Sequence, residues 1–158
     1  MNTAGIKMID VSKKQETLRE ALAQARIRLK PQTLKLIQKK KIPKGDILTV
    51  AQCAGILAAK KVDELIPLCH PLPLDHVSIS FKLEKDGIII FARCKTRSKT
   101  GVEMEAMVAC SIAALTIYDM CKSIDRGAVI EEIKLMEKRG GKSGHYVRNS
   151  KFKTQNSK

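Results

Sequence analysis

Residues 64–76, ELIPLCHPLPLDH, set a cysteine and a histidine among prolines. Proline fixes φ and biases the residue before it toward extended backbone, so Pro67, Pro71 and Pro73 make a stiff arm around His70. Such an arm can hold an imidazole, and the Leu68 and Cys69 backbone beside it, in fixed positions toward a ligand. A metal held by Cys69, His70 and His76 is not expected, because that spacing matches no zinc pattern and no second cysteine pair completes it. The plainer reading makes Cys69 a small buried hydrophobe and His70 a satisfied polar group.

Two further groups have chemistry in their side chains. Glu103 has the S/T-x-x-E spacing of a capping box with Thr100, so capping and ligand contact are even alternatives for it. Glu105 has no capping role, and on a stretch otherwise made of Ala, Met, Val and Ile it belongs on a wet edge or beside a cation. Asp119 and Lys122 are three apart on one helical face, either a surface ion pair or a partly buried one. The uncharged run before them favours partial burial, where a lysine near other cations would titrate closer to neutrality. Lys44, Lys60, Lys138 and Lys142 complete the candidates. GGKSG around Lys142 is a flexible loop able to wrap phosphate, but it lacks the leading glycine of a P-loop.

Spacing also constrains how these residues meet. If Lys44 and Lys60 bracket one helix they lie about 24 Å apart, and Glu105 and Lys122 are separated by a similar distance. One small ligand cannot touch all four within a single subunit. A shared site would lie between subunits.

The elements that must position these groups read as α+β. Ile27 and Leu29 suit a short strand at the end of a polar segment, and Pro31 starts a helix. A second helix spans roughly 46–63 with Asp46 as its cap. Val77, Ile79, Phe81 and Leu83 alternate as a half-buried strand, and KDG at 85–87 turns the chain into a partner strand over 87–95. The strongest helix runs from near Thr100 to before Gly127, and a last strand holds Ile133 and Leu135. This order fits a ferredoxin-like antiparallel sheet with helices packed on one face. Residues 1–142 form one catalytic domain, and 143–158 a basic, mostly flexible tail.

Thirty Lys and Arg against sixteen Asp and Glu give a formal charge of +14, pointing to anionic partners: nucleic acid, a membrane surface or a small polyphosphate. Five cysteines without a CxxC pair suit reduced thiols in the cytoplasm. MNTAGIKMID has no apolar leader segment. The longest nearly apolar run, AMVACSIAALTIY, is shorter than the ~18 residues of a membrane span.

KGDILTVAQCAGILAAKK, LIPLCHPLPL, KTGVEMEAMVACSIAALTIYDMCK and GGKSG together resemble the cyclic pyranopterin monophosphate synthase family, the MoaC proteins of molybdenum cofactor biosynthesis. The likeness covers roughly residues 8–146. It implies a ferredoxin-like subunit in a hexamer, a trimer of dimers with active sites between subunits. The implied reaction is a lyase step that converts 3′,8-cyclo-7,8-dihydro-GTP to the cyclic pyranopterin and expels pyrophosphate. No cofactor is required by the sequence, and Mg²⁺ is compatible with the triphosphate. By motif position Asp119, Lys122 and Lys44 resemble the catalytic group. Leu68, Cys69, His70, Met104 and Glu105 resemble substrate contacts, with Glu103, Lys60, Lys138 and Lys142 in support. After GGKSG the family carries an acidic residue, and His145 stands there instead. The rival reading is a small basic RNA-binding module, against which Phe81, Phe91, Phe152, Tyr118 and Tyr146 are scattered rather than clustered for base stacking. A purely structural oligomer is the second rival, and it leaves the proline-flanked histidine unexplained.

Overall fold

The computed structural model describes residues 5–149. Its order is β1 (Thr17–Arg28), α1 (Pro31–Gln38), α2 (Ile47–Ala59), α3 (Val62–Leu65), β2 (His76–Leu83), β3 (Gly87–Ser98), α4 (Glu103–Cys121), β4 (Val129–Arg139) and β5 (Tyr146–Val147). The strands form one sheet in the order β2-β3-β1-β4-β5, with every pairing antiparallel. Its first four strands have the split β-α-β arrangement expected of a ferredoxin-like subunit.

β1 is the largest departure from expectation, a twelve-residue central strand where the sequence suggested a short one at its end. Ala21, Ala23, Ala25 and Ile27 point into the core at period two. Alanine is a weak strand former, so this alternation is faint in the sequence. Packing overrides it, because small side chains on β1 leave room for α4, whose Ala106, Ala109 and Ala113 are equally buried. The other face of β1 is tied by charge: Glu20 pairs with Arg93, Gln24 donates to Glu132, and Arg26 pairs with Asp86 and Glu131.

The hairpin closes at the expected turn, with the Glu84 N–H donating to the Gly87 carbonyl at 2.8 Å, and β3 runs on to Ser98, three residues beyond the expected end. A Cβ at Gly87 would run into the Ile27 carbonyl, so glycine lets the hairpin lie against β1.

Pro31 does start α1, and that helix is capped from across the fold. The buried Asp125 carboxylate accepts from the Lys30 N–H at 2.8 Å and the Thr33 hydroxyl at 2.9 Å. Asp46 caps α2 as expected, accepting from the Thr49 N–H at 3.3 Å. The expected single helix over 46–63 instead breaks at Lys60, and α3 follows as a separate turn.

α2 and α4 cross at Gly55. A Cβ there would lie 2.7 Å from the Ala109 carbonyl oxygen and would collide with Ile79, so only glycine allows this approach. By length and composition alone α4 could cross a membrane, with a mean hydropathy of 1.4 over its best window. It is instead the core helix, packed on β1, β3, β4 and α2. Tyr146–Val147 pair with β4, so part of the expected tail joins the sheet, and residues 150–158 lie outside the described residues.

Candidate active site

The proline arm crosses from α3 to β2 with its backbone anchored at both ends. The Cys69 N–H donates to the Ile66 carbonyl at 3.0 Å, and the Asp75 N–H to the Lys95 carbonyl at 2.9 Å. Between them the Thr96 hydroxyl donates to the Pro73 carbonyl. His70 Nε2 lies 2.8 Å from the Ile9 carbonyl, tying the N-terminal segment to the arm.

A cavity of about 310 Å³ opens beside this arm. Leu68, Cys69, His70, Glu103, Met104 and Glu105 all line it, so the arm and the first turn of α4 both supply its walls. Thr100 and Gly101 also line it, as do Ile9, Val11 and Lys14. Those N-terminal residues escaped sequence reasoning, since a short polar segment without periodicity carries no positional signal.

The carboxylates of this cavity behave differently from expectation. The capping box does not form: Val102 is the N-cap of α4, and no side chain caps it. The Glu103 carboxylate folds back over Gly101, where any Cβ would collide with it. Glu105 is neither on a wet edge nor beside a cation. It is 4% exposed and forms no ion pair among the described residues. Burial pushes its carboxyl up to about 7, helped by Glu103 and Asp63, while hydrogen bonding to its own backbone pulls the other way. Glu105 is therefore a carboxyl poised near neutrality. Burial and then Glu105 also raise the Cys69 thiol, which keeps it protonated.

At the other end of α4 lies an ionic cluster. Lys44, in the loop between α1 and α2, places Nζ 2.8 Å from Asp119 Oδ2 and 3.0 Å from the Asp119 carbonyl. Lys122 Nζ is 2.7 Å from Asp119 Oδ1. Sequence reasoning favoured partial burial here, but the Asp119 and Lys122 side chains are each 54% exposed. Asp119 is on the open side of the last turn of α4, whose Met120 and Cys121 are buried, and Lys122 is the C-cap that follows. Lys122 is accordingly not lowered. Hydrogen bonding and charge from Asp119 raise it, and the two lysines hold Asp119 down at about 2.

Lys60 is exposed at the C-cap of α2, the end opposite Lys44. Lys138 donates to the Ser143 hydroxyl, and Lys142 lines a second cavity of about 720 Å³. His145, standing where an acidic residue was expected, bonds Glu137 at 2.7 Å. The sequence-predicted residues thus fall into two main groups at opposite ends of α4. Glu105 and Asp119 are fourteen residues apart on that helix, roughly 21 Å at ~1.5 Å per residue.

A family model described as the MoaC family matches residues 8–141. The chain belongs to the MoaC family. That family is the cyclic pyranopterin monophosphate synthase of molybdenum cofactor biosynthesis, and it acts on a nucleotide-derived substrate. The RNA-binding alternative gains no support. Phe81 and Tyr118 pack against the core instead of offering open stacking faces.

Proposed function

We propose that the two groups along α4 act together in a composite site, one group supplied by each of two copies of the chain. The carrying observation is their separation on a single rigid helix, which prevents both from touching the same purine and ribose within one protomer. The helix surface supports pairing of copies. Val50, Leu57 and Leu115 are exposed on α2 and α4, apolar side chains that a second copy would cover. In this reading the assembly is a hexamer built as a trimer of dimers, and it works in the cytoplasm, where the five free cysteines stay reduced.

The reaction class is a phosphorus–oxygen lyase step on the cyclised dihydro-GTP. Leu68, Cys69 and His70 with Met104 and Glu105 hold the purine-derived part, and Glu105, close to neutrality, can donate or accept a hydrogen bond as the ring changes. Lys44 and Lys122 act on the ring-opening and reclosing steps as proton donors, with Asp119 fixing both ammonium groups. Pairing with Asp119 favours the charged form of Lys122, so it begins as an acid and returns to that form once the proton is replaced. Attack of a ribose hydroxyl on the α-phosphate leaves pyrophosphate, whose charge Lys60, Lys138 and Lys142 offset, with Glu103 shaping the rim. Mg²⁺ would arrive with the triphosphate.

Mixing two inactive variants tests the composite site. Asp119→Ala and His70→Ala should each release little pyrophosphate alone. Co-refolded in equal amounts, they should regain about a quarter of wild-type turnover, because a two-fold contact then makes some sites with both halves intact. No recovery, with assembly intact by light scattering, would leave the site within one protomer.

A further inference from the structure

The chain that leaves α4 is fastened immediately after Lys122. The Ile124 and Asp125 N–H groups both donate to the Cys121 carbonyl at 2.9 Å, and the Ala128 N–H donates to the Asp125 carbonyl at 3.3 Å. The turn that carries Lys122 is also buried at its two ends, since Cys121 lies in the core and Asp125 is 1% exposed. A carboxylate at that depth needs donors. It finds them on α1, where Oδ2 accepts from the Lys30 N–H at 2.8 Å and the Thr33 hydroxyl at 2.9 Å. Lys30 is the N-cap of α1 and its own side chain caps nothing, so an acid ninety-five residues away sits at the helix end that favours negative charge. The other oxygen, Oδ1, is buried with no hydrogen-bond partner among the described residues. One oxygen does the joining, and an amide in its place would keep both bonds.

Both lysines of the ionic cluster lead back to this junction. Lys122 is three residues before Asp125, inside the closed turn. Lys44 follows α1, whose Leu34 and Ile37 are buried, as is Ile42 just ahead of it. The Gly45 N–H donates to the Ile42 carbonyl at 3.0 Å and closes the Lys44 loop. A packed path therefore runs from Thr33 through α1 to Lys44, and a short one from Asp125 back to Lys122. The two ammonium groups then meet the Asp119 carboxylate at 2.8 and 2.7 Å. A second tie on the Lys44 loop, Lys40 to Asp46 at 3.3 Å, is exposed, and exposed pairs hold little. The tie from Asp125 to Thr33 is buried on both sides.

We propose that Asp125 is a positioning residue: by fastening the turn after α4 to the start of α1, it sets where Lys122 and Lys44 meet Asp119. Its consequence for turnover rests on the catalytic role proposed for that cluster. Asp125 itself bonds neither ammonium group and acts only through the two segments it joins.

Two readouts on the assembled protein test this, one of them independent of turnover. Limited acetylation with acetic anhydride, resolved lysine by lysine by peptide mass spectrometry, reports how firmly each ammonium group is held. Asp125→Ala should label Lys44 and Lys122 about threefold faster or more, with Lys82 and Lys85 of the β2–β3 hairpin changed less than about twofold. Its kcat for pyrophosphate release should fall about tenfold or more while KM moves less than about threefold, because misplaced groups cost rate before binding. Asp125→Asn keeps the acceptor and should stay within about threefold of wild type in both readouts. Thr33→Val, which removes one donor of the two, should move both in the same direction by less. Ile88→Val, a core change on β3, is the control for lost stability and should move neither. Unchanged labelling of Lys44 and Lys122 in Asp125→Ala would overturn the proposal, and so would an equal rise in Ile88→Val. Faster labelling with kcat unchanged would uphold the positioning by Asp125 and sink instead the catalytic role of the cluster.

Discussion

At its N-terminal end α4 buries a carboxyl, Glu105, with no cation paired to it among the described residues, and at its C-terminal end it exposes another, Asp119, between two ammonium groups. Burial carries the first up to about 7, and pairing carries the second down to about 2. One helix thus carries one carboxyl near half-protonation at neutral pH and another that is fully ionised. The cause is which side of the helix each residue takes. Glu105 is buried beside the proline arm, where Met104 and Val108 pack with Val62 of α3 and Cys69, whereas Asp119 is on the open side of a last turn whose Met120 and Cys121 remain in the core. One end suits a group that exchanges a proton and the other a fixed anion that organises lysines.

The comparison can be broken most directly at the exposed end. Asp119→Ala should lower pyrophosphate release from the cyclised dihydro-GTP by about 10²- to 10⁴-fold. Folding stability should be nearly unchanged, because exposed ion pairs contribute little. Retention of full turnover would remove Asp119 from the mechanism.

At the buried end the expected effect is on stability and its pH dependence. Glu105 is raised in the folded state, so the unfolded chain loses this proton first, near the ordinary 4.5, and the folded chain near 7. The favourable contribution of the neutral carboxyl is complete below about 4.5 and is lost as pH rises to about 7. Glu105→Gln should therefore gain on the wild type between pH 5 and pH 8, by on the order of 2–3 kcal/mol at most, in urea unfolding at fixed protein concentration. Identical pH slopes for the two proteins would mean that the carboxyl is not desolvated.

The smallest effect lies midway between the two ends. Gly55→Ala would gain up to about 1 kcal/mol from helix propensity alone, but the added methyl meets the Ala109 carbonyl. Overpacking should win, for a net loss of about 1–3 kcal/mol by thermal unfolding. A stabilised variant would show that α2 and α4 are less closely seated than described.

Much of this architecture was legible from period and punctuation. The alternation in β2, the KDG turn, Pro31 and the Asp46 cap each correspond to a local rule, and the structure follows them. β1 was the exception, because its inward residues are mostly alanines, whose strand preference is weak and whose burial depends on the helix above. The motifs of the proline arm and of VEME converge on one cavity, yet their electrostatics were not readable. An S/T-x-x-E spacing suggested a cap where the backbone of Gly101 instead receives the Glu103 carboxylate. An uncharged run before Asp119 suggested burial, and Met120 and Cys121 beside it are buried, but Asp119 itself takes the open side of the helix. Charge state depends on which side of a helix is covered, and that is set by tertiary packing.

The meeting of Gly55 with the Ala109 backbone makes the α2–α4 pair a ruler. Main chain rests on main chain there, so no rotamer change can slide one rod along the other or spread them apart. Lys44, just ahead of α2, and Asp119 on α4 are therefore held at a spacing that backbone contact sets.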